Sequence, residues 1–151
     1  MRRTHNQYEI TDDRRRLDFA RIHGWLTKTY WSSGITRPKV EKAAQHSALV
    51  VGAYCKEETS GNSGLVQVGY CRVVSDRTRF AWLADVFIDP VHRARGLGQA
   101  IVKFALEHPD LADVHNWLLG TKDAQGVYAK LGFKPTDEPD RLIQLKKPQS
   151  L

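Results

Sequence analysis

Ile88-Asp89-Pro90-Val91-His92-Arg93-Ala94-Arg95-Gly96-Leu97-Gly98-Gln99-Ala100 carries the chain from an apolar stretch into an amphipathic one, and its reading decides the fold. Downstream, Leu97, Ala100, Ile101, Phe104 and Ala105 recur at i, i+3, i+4, i+7 and i+8, which predicts a helix over Gly96 to Glu107, halted near Pro109. Upstream, Phe80 to Ile88 is aromatic and β-branched and stops at Asp89-Pro90, which predicts a strand. The loop between them is basic and holds two glycines. A helix N-terminus leaves backbone N–H groups without acceptors and carries partial positive charge, and Gly96 and Gly98 lack the Cβ atoms that would keep an anion away from those donors. Arg93 and Arg95 add formal charge. As a bare pattern this is also a helix start whose glycines serve turn geometry alone. GxxxxGK[ST] is absent, and the preceding strand closes a meander rather than opening a βαβ unit, so neither a P-loop nor a dinucleotide fingerprint is present.

Working outward, Ala48 to Lys56 and Leu65 to Val74 are strand-like and flank the turn-rich joint Glu57 to Gly64, which predicts a hairpin. Ser75-Asp76-Arg77-Thr78 makes a second turn, so these two strands and Phe80 to Ile88 form an antiparallel meander. Before it, Tyr8 to Thr11 reads as a short strand. Leu17, Phe19, Ile22, Trp25 and Leu26 mark a first helix, and Thr36-Arg37-Pro38 opens a second that runs to about Gln45. After it come a strand at Val114 to Leu119, a helix at Ala124 to Leu131 closed by Gly132, and extended pieces at Phe133 and Leu142 to Leu145. This order predicts an α+β fold: a mixed, mostly antiparallel sheet with helices on both faces. No repeat or linker divides residues 1–151, which read as one domain.

The composition is that of an ordinary globular domain, with 41% hydrophobic and 26% charged residues, 11 Gly and 6 Pro. The longest apolar run, Ala48 to Cys55, is far shorter than the ~18 residues of a membrane helix, and no apolar stretch follows the basic N-terminus. A cytoplasmic protein without a membrane segment is expected. Cys55 and Cys71 have no CxxC or histidine-pair spacing, so no metal is expected. An excess of 23 Lys and Arg over 17 Asp and Glu suits an anionic partner: nucleic acid, a membrane surface or a phosphorylated cofactor. With no helix-turn-helix, zinc-finger or RNP-like motif, nucleic acid is not expected.

Arg93-Ala94-Arg95-Gly96-Leu97-Gly98 after Val86-Phe87-Ile88-Asp89-Pro90, together with Tyr128-Ala129-Lys130-Leu131-Gly132-Phe133, resembles the GCN5-related N-acetyltransferases (GNAT) over roughly Ser47 to Lys134. The resemblance implies a GNAT-like acyl-CoA N-acyltransferase fold, acetyl-CoA as co-substrate, and a small-molecule or protein amine as acceptor. It leaves room for a homodimer. It further implies that the diphosphate lies on Arg93 and on the amides of Arg95, Gly96, Leu97, Gly98, Gln99 and Ala100, and that the pantetheine arm pairs with Val86, Phe87 and Ile88. Tyr128 matches the family's general acid, also a cofactor contact. Thr121 stands where many relatives have Asn touching the cofactor, and Asp123 is a candidate replacement.

An attacking amine with pKa ~10.4 must lose a proton. Asp85, a carboxylate within an apolar strand, is a candidate base; its other reading is a strand Asp tied to backbone or to an Arg. Ala84 precedes it where polyamine-acetylating relatives often carry Glu. Tyr30 and Trp31, between the first two helices, are candidates for the acceptor wall. Trp82 and Trp117 read as core, and His92 as a neighbour of the cofactor loop with no assigned task. Direct attack without an acyl-enzyme is expected, the alternative being a non-catalytic acyl-CoA-binding regulatory module.

Overall fold

Alternation of β-branched and aromatic residues extends the chain in the three strands of the expected meander: β3 (Leu49–Lys56), β4 (Leu65–Ser75) and β5 (Ala81–Ile88). The computed structural model describes residues 1–57 and 64–149, so the interior of the joint read at Glu57 to Gly64 lies outside the described residues. Two further strands precede the meander, β1 (Arg2–His5) and β2 (Tyr8–Thr11), and a two-residue strand β6 (Trp117–Leu118) follows it. They form one sheet in the order β1-β2-β3-β4-β5-β6, antiparallel throughout except for the parallel β5–β6 pair. The expected mixed sheet is present.

Strand β1 has no counterpart in the sequence reading. Arg-Arg-Thr-His shows no apolar alternation, and its strand state comes from the hairpin with β2 and from Arg3, which bonds Glu107 and lies 5.9 Å over the Phe104 ring.

The helices are α1 (Phe19–Leu26), α2 (Arg37–Gln45) and α3 (Leu97–Leu106). Asp18 caps α1 by accepting from the Arg21 amide at 3.1 Å, and Pro38 stands in the first turn of α2, where its missing N–H costs nothing. Ile22, Leu26, Val40 and Ala44 of these two helices share a core cluster with Val50 and Tyr70 of the sheet. The neighbouring residue on β4, Gly69, points to the opposite face. A Cβ there would lie 2.7 Å from Ile101 of α3 and 3.0 Å from Ile88, so the missing side chain admits α3 close to the sheet. Helices therefore cover both faces.

Two compact units make up the chain, Met1–Thr121 and Lys122–Leu151. The second holds α4 (Gln125–Ala129), closed as expected by Gly132 at φ 96°, and a 3-10 turn at Pro139–Arg141. Phe133 and Leu142 to Leu145 are not strands. Leu142, Ile143 and Leu145 are 58%, 95% and 83% exposed, and an apolar run without a paired edge has nothing to hold it extended. Trp82, read as core, is 39% exposed, because it sits beside Val74 near the end of the meander, and Val74 is similarly uncovered.

Candidate functional site

The edge of β5 opens the site. Strand β6 pairs only with Ala81 and Trp82, so from Leu83 to Ile88 that edge has no partner strand among the described residues. Midway along it the register slips: Arg72 faces Ala84 and Tyr70 faces Phe87, which puts one extra residue into β5. Asp85 adopts φ 55°, a left-handed conformation that a residue with a Cβ holds at a cost of about 1–3 kcal/mol. Two side chains from elsewhere hold it there. Arg72 donates Nε to Oδ2 at 2.6 Å, and Trp31, between α1 and α2, donates Nε1 to Oδ1 at 2.9 Å. The Asp85 side chain is only 8% exposed, so the ion pair is largely withdrawn from water. A candidate base and a candidate acceptor-wall residue thus meet directly. Arg72 was missed by sequence reasoning, since an Arg within a strand pattern carries no mark of its partner.

Beyond the bulge, Phe87 stacks on Trp25 of α1 at 5.4 Å, and the Arg93 guanidinium lies 5.1 Å from the same ring. Arg93 also donates Nε to the Ile88 carbonyl at 3.0 Å, anchoring the loop to the strand it leaves. Asp89 caps the 3-10 turn Pro90–His92 through the Val91 amide at 3.1 Å and accepts from Arg21 at 3.3 Å. The chain then curls through two left-handed residues, Ala94 at φ 61° and Gly96 at φ 76°. Between them Arg95 is held at both ends: His5 donates Nε2–H to its carbonyl at 3.1 Å, and its guanidinium donates to Tyr8 Oη at 3.3 Å.

Helix α3 starts from this curl. Its first intrahelical bond runs from the Ala100 amide to the Gly96 carbonyl at 3.0 Å, so the Ala100 N–H is engaged, while the N–H groups of Leu97, Gly98 and Gln99 have no acceptor among the described residues. No acidic side chain stands in this first turn, and neither Arg93 nor Arg95 forms an ion pair among the described residues. The loop and helix start thus combine unspent donors, the positive end of a helix and two guanidiniums without an ion pair among the described residues, a combination that favours an anion. The described residues hold no His/Cys/Asp/Glu group that could bind a metal.

Both cysteines are buried, and burial pushes each thiol pKa above its ordinary value, Cys71 most strongly. A thiol kept protonated is a poor nucleophile. Burial also raises the Tyr54 phenol to about 12.

The other sequence-derived candidates are placed as follows. Tyr30 packs edge-on against Trp31 at 5.0 Å, and both are substantially exposed. Thr121 ends the first unit, whereas Asp123 and Tyr128 belong to the second, where the Tyr128 ring meets Phe133 at 5.9 Å.

The sequence of residues 53–135 matches the model of the GNAT acetyltransferase domain. A histone acetyltransferase from Glycine max is 30% identical over 105 residues; the match covers 66% of this chain and 45% of that protein, so the chain corresponds to under half of that relative's length. Among solved structures, a protein belonging to the GNAT family from Xanthomonas campestris pv. campestris is 36% identical with TM-score 0.81, covering 93% of this chain and 94% of that one. A protein from Clostridium acetobutylicum solved with acetyl-CoA has TM-score 0.58 over 92% of this chain and 94% of its own, and at 15% identity it shares the fold alone.

Proposed function

Given that the chain belongs to the GNAT acetyltransferase family, we propose that it moves an acetyl group from acetyl-CoA to a primary amine by direct attack. The observation that carries this reading is the junction of a strand edge with an anion-ready helix start: among the described residues, β5 from Leu83 to Ile88 has no partner strand on that edge and the amides of Leu97, Gly98 and Gln99 have no acceptor. The diphosphate is bound by those amides with those of Arg95 and Gly96, aided by Arg93, while Ala100 borders the turn. The pantetheine arm adds to the edge at Val86, Phe87 and Ile88 as an extra strand would, since main-chain pairing is indifferent to side-chain identity. An amide near Phe87 or Ile88 stabilises the oxyanion that forms when the amine attacks the thioester carbon. Thr121 and Asp123 are proposed as further cofactor contacts.

The amine nitrogen forms the new bond to carbon, the C–S bond breaks, and one proton leaves the nitrogen as one reaches the sulfur. Asp85 is the proposed acceptor of the first, and Tyr128, through its phenol O–H, the donor of the second. Tyr30 and Trp31 present aromatic faces suited to an ammonium group on its way in.

One observation favours a second reading. Asp85 already pairs with Arg72 and Trp31, and a carboxylate so engaged suits an acyl-CoA-binding module without turnover. Incubation with acetyl-CoA and a panel of polyamines, amino sugars and peptide amines separates the two. Release of free thiol with at least one amine is expected, and Tyr128→Phe is expected to lower it about a hundredfold while CoA still binds. CoA binding without turnover on any amine supports the module, and no calorimetric heat with CoA removes both readings.

A further inference from the structure

We propose that the N-terminal hairpin is a positioning device for the cofactor loop, with Tyr8 and His5 as positioning residues that act through Arg95. This rests on the acetyl-CoA reading above. His5 and Tyr8 face each other as the cross-strand pair that closes the β1–β2 turn, and both reach the same loop residue about ninety positions away in sequence. One grips the Arg95 carbonyl at 3.1 Å and the other its guanidinium at 3.3 Å.

A guanidinium only donates, so Tyr8 Oη accepts from Arg95, and it shares a second hydrogen bond with His92 Nδ1 at 2.9 Å. His92 Nε2 faces Glu57 Oε1 at 3.8 Å and Cys55 Sγ at 4.0 Å. Tyr8 and His92 are 1% and 9% exposed, so this line is sheltered from water. It runs from the carboxylate of Glu57 to the cation of Arg95.

The loop needs such a hold. Ala94 and Gly96, on either side of Arg95, both have positive φ, and Ala94 adopts it against its Cβ. A curl of this kind persists when its surroundings over-determine it, and the N–H groups that open α3 follow directly from it. Arg3, bonded to Glu107 and lying over Phe104, fastens the same hairpin to the far end of α3.

The test uses the full chain, with CoA binding followed by calorimetry and loop order by amide hydrogen exchange. Tyr8→Phe keeps the ring and deletes only the hydroxyl; His5→Ala removes the other grip, and His5→Gln retains an N–H donor. The dissociation constant for CoA is expected to rise about tenfold in Tyr8→Phe and in His5→Ala, and to return to within about twofold of wild type in His5→Gln. Exchange should accelerate at the Ala100 amide, whose bond to the Gly96 carbonyl closes the curl, in the two weakened variants and not in β3 or β4. Should Tyr8→Phe fail to fold, the His5 pair decides. Wild-type affinity and wild-type exchange in His5→Ala would overturn the proposal. If wild-type protein itself does not bind CoA, the acetyl-CoA reading fails, and the hairpin's hold on the loop is then judged by the exchange rates alone.

Discussion

Two places along one short stretch of chain force residues with a Cβ into left-handed backbone: Asp85 in the β5 bulge and Ala94 in the loop before α3. Each is held by side chains from distant parts of the sequence, yet their electrostatics are opposite. At the bulge, a carboxylate is met by Arg72 and by the Trp31 indole and is nearly closed to solvent, so its charge is spent. At the loop, Arg93 and Arg95 find uncharged partners, and the amides of Leu97, Gly98 and Gln99 find none among the described residues. Strain with neutralised charge makes a fixed shape. Strain with surplus charge makes a shape that still has a ligand to gain, since a bound anion supplies the missing acceptors.

The turn between β4 and β5 is the control for this comparison. Arg77 there also has φ 67°, but its backbone N–H is held locally, by Ser75 Oγ at 2.8 Å, while its guanidinium donates to the Ala48 carbonyl at 3.3 Å. Asp76 Oδ1 accepts from the amides of Thr78, Arg79 and Phe80, and these bonds, that to Thr78 foremost, hold its carboxyl at about 2.

The largest effect is expected at the bulge. Arg72→Ala leaves the Asp85 carboxylate buried and unpaired, and should lower unfolding free energy by about 3–5 kcal/mol in a denaturant titration. Adding Asp85→Ala should recover part of that loss; a double variant no better than the single would show that Arg72 acts through packing instead. At the loop the expected effect falls on binding. Gly96→Ala puts a Cβ at φ 76° and 3.4 Å from His5, at a cost of about 1–2 kcal/mol, so affinity for CoA should drop about tenfold and the melting temperature should fall by about 2–8 °C. An undiminished affinity would mean that the curl is not what the cofactor uses.

The smallest effect belongs to the control. Because the Asp76 pKa is depressed from its ordinary 3.8, its stabilisation is present above that value and is lost as pH falls through it toward about 2. Asp76→Asn should therefore flatten the acid limb of stability between those values and leave CoA binding at neutral pH unchanged. A loss of binding would join this turn to the site and break its use as a control.

The two regions were unequally legible in the sequence. Gly96, Gly98 and the apolar spacing of α3 announce the loop, because a helix start and its anion-binding donors are local properties of consecutive residues. The bulge gave no such sign: Asp85 was visible as a carboxylate in an apolar strand, but the extra residue in the register depends on how β4 pairs with it. His92 stood beside the loop without a task until Tyr8 was placed against it. The extended pieces at Phe133 and Leu142 to Leu145 show the reverse failure, in which strand propensity existed without an edge to satisfy it.

Periodicity and turn chemistry in the chain were enough for the meander and the helix starts, since these depend on neighbours within a few residues, and the motifs at Arg93 to Gly98 and Tyr128 to Phe133 carried the resemblance to the family. Folding alone settled which charges are cancelled and which remain. Arg72 meets Asp85, and His5 and Tyr8 meet Arg95, only once strands far apart in sequence lie side by side. An ion pair or an anchoring bond is a property of distance in space, and linear order does not encode that distance.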